Sequence, residues 1–354
     1  MYLAIETSCD DTCAAILDER GRALSNVASS QLVHGEYEGV VPELASREHV
    51  RLGPTAIRVA LEHANVSLKS IRGIAVTQGP GLVGCLLVGL GLAKGLSLAL
   101  RVPVVGVNHI EGHIHAILAE RAWEPPFIAL VASGGHTELL LVEDWGRYRL
   151  LGATRDDAAG EAFDKVAKML GLGYPGGPVV DRMAREGRRD AFAFPRAYLD
   201  LESGNLDVSF SGLKTAVKLF LERDPEWISG AASARFVADV CASFQAALVD
   251  VLTAKVEAAV LRTGARKILI SGGVACNSHL RQKMAALGER LQADVAFPSP
   301  RLCADNAVMI GLAALSRLRA GEDDGMALAA LPNLDDFPLF AEGGSPPPTE
   351  LDSF

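Results

Sequence analysis

Residues 3–22 read LAIETSCDDTCAAILDERGR, and residues 128–147 read IALVASGGHTELLLVEDWGR. The two stretches align without a gap. Five of the twenty aligned pairs are identical: Ala4 and Ala129, Ser8 and Ser133, Thr12 and Thr137, Gly21 and Gly146, Arg22 and Arg147. Each stretch has the pattern of a strand, a polar loop, a second strand, a tight turn and a third strand. The repeat predicts two related halves, although five identities in twenty can also arise by chance.

Each half continues with a second shared pattern. Residues 74–81 run from an apolar strand into a glycine loop and a helix, and a strand follows at residues 102–107. Residues 268–273 do the same, and their strand follows at residues 294–297. This duplicated α/β layout is typical of the actin, sugar kinase and Hsp70 (ASKHA) superfamily, whose two lobes hold a nucleotide in the cleft between them. A generic α/β protein with ordinary glycine turns is the alternative.

The repeat also divides the chain into two predicted lobes. We assign residues 1–125 to the N-terminal lobe, with a helical insertion at about residues 34–65, and residues 126–340 to the C-terminal lobe. The final helices can pack back on the N-terminal lobe. Residues 341–354 contain a Gly-Gly-Ser-Pro-Pro-Pro run and are expected to form a disordered tail.

A candidate metal site follows the strand at residues 102–107. Asn108 suits a helix N-cap, and a helical pattern continues to about residue 121. His109 and His113 therefore lie one turn apart on one helix face. A pseudo-twofold axis would bring Asp305, which follows the matching strand of the second half, across the cleft as a third ligand. Two imidazoles and one carboxylate leave open positions for substrate, although the histidine spacing alone fits two surface histidines equally well.

The same helix lacks the residue pattern of a zinc protease. Such enzymes place a glutamate directly after the first histidine, where it acts on the metal-bound water. Here Ile110 follows His109, and Glu111 lies about 200° around the helix axis from His109. We therefore expect Glu111 to support helix packing or to orient a histidine. A metalloprotease is accordingly the weaker alternative function.

The composition restricts the class of protein. Hydrophobic residues make up 49% of the 354 residues, which suffices for a large core, and the mean hydropathy is +0.22. The net charge of −9 argues against tight, independent nucleic-acid binding. The six cysteines contain no C-x-x-C pair, and the chain enters a strand at Tyr2 without a signal peptide, so we expect a cytoplasmic protein with reduced thiols. The apolar residues 82–100 include Lys94 and are expected to form a buried helix rather than a membrane span.

Several short motifs occur in order along the chain. They are VPELASR at residues 41–47 with His49, HIEGH at 109–113, SGGHT at 133–137, GEAFDK at 160–165, YPGGP at 174–178 with Asp181, FSGLK at 210–214, GGV at 272–274 with Asn277, and Asp305-Asn306. As a set, from about residue 2 to about residue 320, they resemble the TsaD family, the bacterial members of a universal tRNA-modifying group.

This resemblance implies a transferase. It would move the threonylcarbamoyl group from threonylcarbamoyl-adenylate to the exocyclic amine of the adenosine on the 3-prime side of the anticodon, in tRNAs that read codons beginning with A. The implied metal, iron (Fe²⁺) or as second choice zinc, would be held by His109, His113 and Asp305. The implied adenylate-binding residues are Ala132, Ser133, Gly134, Gly135, His136, Asp164, Gly177, Asp181 and Asn277. The implied partners are tRNA, a paralogous TsaB-like scaffold protein and a small TsaE-like P-loop ATPase, with no membrane.

Other assignments stay open beside this one. Asp10 and Asp11 lie in the first predicted hairpin loop, where relatives of the superfamily handle phosphate and metal, so we predict that they are catalytic. Asp164 could instead form a solvated ion pair with Lys168, and Asp181 could simply complement a helix dipole. The alternative functions on this fold are an ATP-dependent kinase and a catalytically silent scaffold paralogue. Metal retained on purification separates the transferase from the kinase, and silent paralogues lack the three metal ligands.

Overall fold

Two five-stranded sheets carry the fold, one in each half of the chain. The structure is a computed structural model that describes residues 1–31, 39–197 and 204–333. The predicted tail at residues 341–354 and the start of the predicted insertion, residues 34–38, lie outside the described residues.

The first sheet contains the N-terminal copy of the repeat. Its strands, in the spatial order β3-β2-β1-β4-β5, are β1 (Tyr2–Glu6), β2 (Asp11–Leu17), β3 (Ala23–Ser30), β4 (Gly73–Gly79) and β5 (Val104–Asn108). The first three strands pair antiparallel, whereas β4 pairs parallel with both β1 and β5. The carboxyl ends of β1, β4 and β5 therefore meet at one sheet edge, where open α/β sheets bind ligands.

The second sheet repeats this arrangement. Its strands, in the order β10-β9-β6-β7-β8, are β6 (Phe127–Ala132), β7 (Thr137–Asp144), β8 (Arg147–Ala153), β9 (Lys267–Ser271) and β10 (Asp294–Ala296). Again three strands form an antiparallel meander, and the last two join it by parallel pairing. The matching strand orders confirm the duplicated fold predicted from the repeat.

Helices cover both sheets. Those of the first half are α1 (Pro42–Ala64), α2 (Val83–Leu100) and α3 (His109–His115). Those of the second half are α4 (Ala159–Met169), α5 (Gly176–Ala184), α6 (Ser211–Leu221), α7 (Pro225–Ile228), α8 (Ala234–Thr263), α9 (Ser278–Leu291), α10 (Pro300–Cys303), α11 (Ala307–Ala313) and α12 (Leu315–Ala320). Short 3-10 turns lie at Leu68–Ser70, Ala116–Ala119 and Gly273–Cys276.

Helix α11 connects the end of the chain to the first sheet. It packs on β1, β2 and α3, and its buried Met309 shares a core cluster with Leu17 of β2. Gly311 allows this contact, because a Cβ there would lie 2.4 Å from a methyl carbon of Leu17. The packing holds Asp305, two residues before α11, beside α3. The division into lobes at residues 125 and 126 stays a prediction.

Helices α1 and α2 differ from the sequence-based expectation. Helix α1 begins at Pro42, later than the predicted insertion. Helix α2 is only 33% buried, with Leu87 and Leu98 exposed, so the expected buried helix is in fact buried on one face. Helices α2 and α8 are each long and apolar enough to cross a membrane, by length and composition alone. In α8, however, 78% of its most apolar 18-residue stretch is buried inside the protein.

Candidate active site

Two histidines one helix turn apart and an aspartate from far along the chain meet at the carboxyl end of β5. The side chain of Asn108 accepts hydrogen bonds from the backbone N–H of Ile110 and Glu111 at 2.8 and 3.2 Å, and so starts α3 at His109. The rings of His109 and His113 lie edge to face, with centroids 4.7 Å apart. Asp305 Oδ1 is 3.6 Å from His109 Nε2 and 3.2 Å from His113 Nε2. The α-helix ends at His115 and continues as a 3-10 turn to Ala119, short of the predicted residue 121.

This cluster fits a divalent metal ion. One ligand atom from each of the three residues lies within 4.8 Å of the others. Both ring nitrogens of His113 are buried: Nδ1 has no hydrogen-bond partner within the described ranges, and Nε2 has the Asp305 oxygen at 3.2 Å beside it. Buried polar atoms in proteins are normally satisfied, and a bound ion would satisfy such a nitrogen. Imidazole and carboxylate together suit Fe²⁺ or Zn²⁺, so His109, His113 and Asp305 could hold either one.

A buried carboxylate orients the first histidine. Glu6, at the end of β1, is fully buried, and its Oε2 lies 2.9 Å from His109 Nδ1 and accepts from Thr77 Oγ1 at 2.6 Å. Its Oε1 accepts from the backbone N–H of Ser8. This arrangement leaves His109 Nε2 facing Asp305, as in the carboxylate–histidine–metal pattern. Sequence reasoning missed Glu6, although a charged residue inside an apolar strand run could have marked it.

The charged groups of the cluster shift one another's pKa values. Burial alone would lower the pKa of His109, but the Glu6 and Asp305 carboxylates more than offset burial and raise it to about 9. Burial alone would raise the pKa of Asp305, but His109 and His113 hold it well below its usual range. Because a metal binds the neutral imidazole, an ion must compete with a proton at His109.

The two predicted catalytic acids lie at the hairpin between β1 and β2: Asp10 in the loop and Asp11 as the first residue of β2. Asp11 Oδ1 is buried and has no hydrogen-bond partner in the described part of the chain. Burial, reinforced by the charge of Asp305, raises the pKa of Asp11 to about 7. Asp10 lies further out, and its Oδ2 accepts a hydrogen bond of 3.3 Å from Tyr174 Oη. Tyr174 thus links this loop to the second half of the chain across the cleft.

The matching loop between β6 and β7 is closed by its own backbone. The backbone N–H of Ser133 donates to the His136 carbonyl at 2.8 Å, and Ser133 Oγ accepts from the backbone N–H of His136 at 3.2 Å. Gly134 and Gly135 are exposed, and a Cβ added to either would meet no described atom within 4 Å. The His136 ring lies 6.0 Å from the His109 ring between centroids, and burial lowers the pKa of His136 to about 3. This loop, which begins after the buried Ala132, therefore borders the metal cluster and leaves open space beside it.

The other predicted adenylate residues lie on or next to α4, α5 and α9. Asp164 is partly buried and its Oδ1 accepts a 2.7 Å hydrogen bond from the backbone N–H of Gly176, at the start of α5. Gly177, in the same first turn, has open space around its Cα. Asp181 is buried and accepts from Ser278 Oγ at 2.7 Å, so it does more than complement a helix dipole.

Asn277 caps α9. Its side-chain oxygen accepts from the backbone N–H of His279 and Leu280, each at 3.0 Å, and its Nδ2 donates to Gln245 Oε1 at 2.7 Å. Asn277 therefore fixes the position of the turn Gly273–Cys276, which follows β9. A role for Asp164, Gly177, Asp181 or Asn277 in binding adenylate stays a prediction.

Glu111 does not join the metal cluster. Its Oε1 accepts a 2.8 Å hydrogen bond from Tyr148 Oη, which links α3 to β8. The glutamate is therefore occupied in packing, and it is poorly placed to act on a water bound by His109 and His113.

Comparison with known proteins identifies the family. The family model described as TsaD, tRNA N6-adenosine threonylcarbamoyltransferase, matches residues 22–312. The chain belongs to the TsaD family. A curated relative of that description from Geotalea uraniireducens is 55% identical over 313 residues, covering 88% of this chain and 90% of the relative. The family resemblance inferred from the motifs is confirmed.

Solved structures of distant proteins share the fold of this TsaD family member. The activator of 2-hydroxyisocaproyl-CoA dehydratase from Clostridium difficile, with bound ADPNP, aligns with a TM-score of 0.53 at 14% identity, over 90% of this chain and 96% of that one. HypF from T. kodakarensis aligns with a TM-score of 0.58 at 16% identity, over 90% of this chain and 47% of that one. At these identities the likeness concerns the fold alone.

Proposed function

We propose that this protein transfers the threonylcarbamoyl group from threonylcarbamoyl-adenylate to the exocyclic amine of the adenosine next to the anticodon, on its 3-prime side. The acceptors are tRNAs that read codons beginning with A, and the product is threonylcarbamoyladenosine (t6A). Membership of the TsaD family supports this activity directly. The observation that carries the mechanism is the position of the His109, His113 and Asp305 cluster, which lies beside His136 of the loop between β6 and β7.

The reaction needs help because an adenine amine is a weak nucleophile, whose lone pair is delocalised into the ring. Holding the two reactants in line therefore supplies much of the rate enhancement. A divalent ion, when bound by His109, His113 and Asp305, supplies Lewis-acid polarisation of the carbamoyl or phosphate oxygens. Glu6 fixes the ring of His109 for this purpose. The buried, unpaired Oδ1 of Asp11 is suited to accept a hydrogen bond or a proton from the attacking amine.

The adenylate is proposed to lie along the second half of the site. The open space at Gly134 and Gly135 suits a phosphate, whose charge the loop N–H groups can neutralise. Asp181, already bonded to Ser278 at the start of α9, is positioned to accept from ribose hydroxyls, and Asp164 and Gly177 flank it. The distant structural neighbour from Clostridium difficile, which holds the nucleotide ADPNP, supports a nucleotide in this cleft.

Iron is the proposed native metal, and zinc is the alternative, because both accept two imidazoles and a carboxylate. We further propose a cytoplasmic location, where tRNA is available and the six cysteines stay reduced.

A paralogous scaffold protein and a small P-loop ATPase are proposed as companions. The outer face of α1 and α2 supports the scaffold contact, because Val50, Val83 and Leu87 there are 61%, 54% and 58% exposed. An exposed apolar face of this kind is typical of a protein interface. The net charge of −9 supports a need for companions in tRNA binding, since it opposes a polyanion.

The direct test is reconstitution with unmodified tRNA, ATP, threonine, bicarbonate and the companion proteins, followed by nucleoside analysis. We expect t6A only in the complete mixture and little or none with the isolated chain. Full turnover by the isolated chain, together with tight tRNA binding, would contradict the proposed need for companions. Metal-independent phosphorylation of a small molecule, with no t6A, would favour the kinase alternative.

A further inference from the structure

Two cysteines, Cys276 and Cys303, lie on elements that pack together next to the candidate site, and their thiols are close enough to interact. Cys276 ends the turn Gly273–Cys276, and Cys303 ends α10, which packs on that turn. The thiol of Cys276 is exposed, and its Sγ is 4.0 Å from the Pro300 carbonyl oxygen in α10. The thiol of Cys303 is buried, and its Sγ donates to the Pro298 carbonyl at 3.2 Å. The exposed Cys276 thus has the buried Cys303 as its neighbour.

A cation joins the two segments. Arg281, on α9, donates from Nε to the Ala275 carbonyl at 2.6 Å and from Nη2 to the Pro298 carbonyl at 3.1 Å. The same Nη2 lies 3.7 Å from Cys303 Sγ. The guanidinium therefore binds both segments together and places positive charge beside the thiols, which is the environment of reactive cysteines.

The other thiols lie in the opposite environment. The neighbouring Cys303 side chain and the charge of Arg281 together lower the pKa of Cys276 to about 7. By contrast, burial and the charge of Asp10 raise the pKa of Cys9, and burial raises the pKa of Cys241 to about 12. Thiolate is the nucleophilic form, so Cys276 is the thiol that reacts first.

We propose that Cys276 and Cys303 form an oxidation site that takes a peroxide as oxidant and converts to a disulfide. The Cys276 thiolate attacks one peroxide oxygen, the O–O bond breaks, and a sulfenic acid forms while the other oxygen leaves as water after taking up a proton. The sulfur of Cys303 then attacks the sulfenic sulfur, and the hydroxyl leaves as water with the thiol proton. Two thiols supply two electrons, and one hydrogen peroxide becomes two waters.

The disulfide acts on the proposed transfer reaction through the residues that follow each cysteine. Cys276 directly precedes Asn277, which caps α9, and Cys303 lies two residues before Asp305. A disulfide draws the two sulfurs together and so moves Asn277 and Asp305. Oxidation therefore slows the transfer, and a dithiol reductant restores it. This consequence rests on the proposed function, whereas the oxidation itself does not.

The test is mass spectrometry of the purified full-length chain after titration with hydrogen peroxide. We expect a loss of two hydrogen masses and a cross-linked peptide pair containing Cys276 and Cys303. Alkylation at neutral pH before oxidation should label Cys276 about 10-fold faster than Cys9 of the same sample, since a pKa near 7 leaves far more thiolate. Cys9 is thus an internal control that needs no substitution.

Two variants sharpen the result. Cys303→Ser should trap the sulfenic acid at Cys276, detectable with dimedone, and Cys276→Ser should form no cross-link while keeping full basal activity. Absence of the cross-link in the wild type, or faster oxidation of Cys9, would overturn the proposal. A disulfide that forms without changing the rate of t6A formation would overturn the link to activity alone. Lack of t6A in the reduced protein would instead count against the proposed function.

Discussion

The hairpin loops of the two halves occupy equivalent places and carry different chemistry. Ser8 and Ser133 match in the repeat. Each belongs to a short loop at the carboxyl end of a strand, β1 for Ser8 and β6 for Ser133. In the first loop the serine hydroxyl lies 3.2 Å from His109 Nδ1, beside Glu6. In the second loop the serine hydroxyl accepts from the backbone N–H of His136 instead. The first loop contacts the candidate metal ligand His109, whereas the second closes on itself.

The residues that follow the serines extend this difference. Cys9 and Asp10 of the first loop correspond to Gly134 and Gly135 of the second. The first loop therefore carries a carboxylate and two larger side chains, whereas the second has open space that an anion can enter. We therefore predict that the duplicated framework divides two tasks: the first loop orients His109 for the metal, and the second loop binds the adenylate.

Removing a metal ligand should have the largest effect. We expect His113→Ala, and equally His109→Ala, to lose most of the bound metal and most transferase activity while the fold stays intact. The loss should exceed the 10–100-fold change typical of an outer-shell residue. Metal analysis and circular dichroism measure it.

Two variants control this result. Glu111→Gln, on the same helix but bonded to Tyr148, should keep its metal. Asp305→Asn should lose less metal than either histidine variant, because an amide oxygen still coordinates weakly. Full metal occupancy in both histidine variants would rule out the assigned site.

Adding a side chain to the second loop should have the second-largest effect. We expect Gly135→Val to weaken binding of AMP about 10-fold or more, because its side chain enters space left for the phosphate. Metal content and thermal stability should not change, since no described atom lies within 4 Å of a Cβ there. Calorimetric titration with AMP measures it.

The control for this variant is Gly160→Ala. A Cβ at Gly160 would lie 2.5 Å from the Ser133 carbonyl oxygen, so this variant should lower thermal stability. Unchanged AMP binding by Gly135→Val would show that the phosphate does not use this loop.

Changing Glu6, the carboxylate at the end of β1 just before the first loop, should have an intermediate effect. We expect Glu6→Gln to lower metal affinity about 10–100-fold, since the amide no longer provides a negative charge to His109 Nδ1. Its hydrogen bond from Thr77 should survive, because an amide oxygen also accepts. Competition with a metal-binding dye gives the affinity, and an unchanged value would mean that Glu6 only supports packing.

The smallest predicted effect concerns Glu138, the second residue of β7. Burial, partly opposed by His109, raises the pKa of Glu138 to about 8, and its Oε2 has no hydrogen-bond partner among residues 1–31, 39–197 and 204–333. The folded state therefore holds a proton that the unfolded state releases, so this group makes stability fall as pH rises from about 4.5 to about 8. We expect Glu138→Gln, which mimics the protonated form, to reduce that slope in urea unfolding, and an unchanged slope would contradict the assignment.

The sequence was enough to predict the fold, because a duplicated unit restricts its own topology. The repeat between residues 3–22 and 128–147 predicted two matching meanders, and the parallel additions followed from the glycine loops. Solvent exposure was harder to foresee. The apolar pattern of α2 predicts burial but does not reveal which face stays open, since that depends on helix packing far along the chain.

The site was predictable only in part. The i, i+4 spacing of His109 and His113 is local, and the repeat brought Asp305 to them. The partner of His109, Glu6, lies more than a hundred residues away in a strand, where a polar residue has no periodic signal. Likewise, the link from Asp164 to the start of α5 depends on a helix contact that no local pattern encodes.

The most direct test of the division between the loops is to measure metal affinity and AMP affinity in both Glu6→Gln and Gly135→Val. We predict that Glu6→Gln loses metal affinity and keeps AMP binding in the presence of saturating metal, and that Gly135→Val loses AMP binding and keeps its metal. Equal loss of both affinities in both variants would contradict the account, because it would mean that the two loops form one inseparable site.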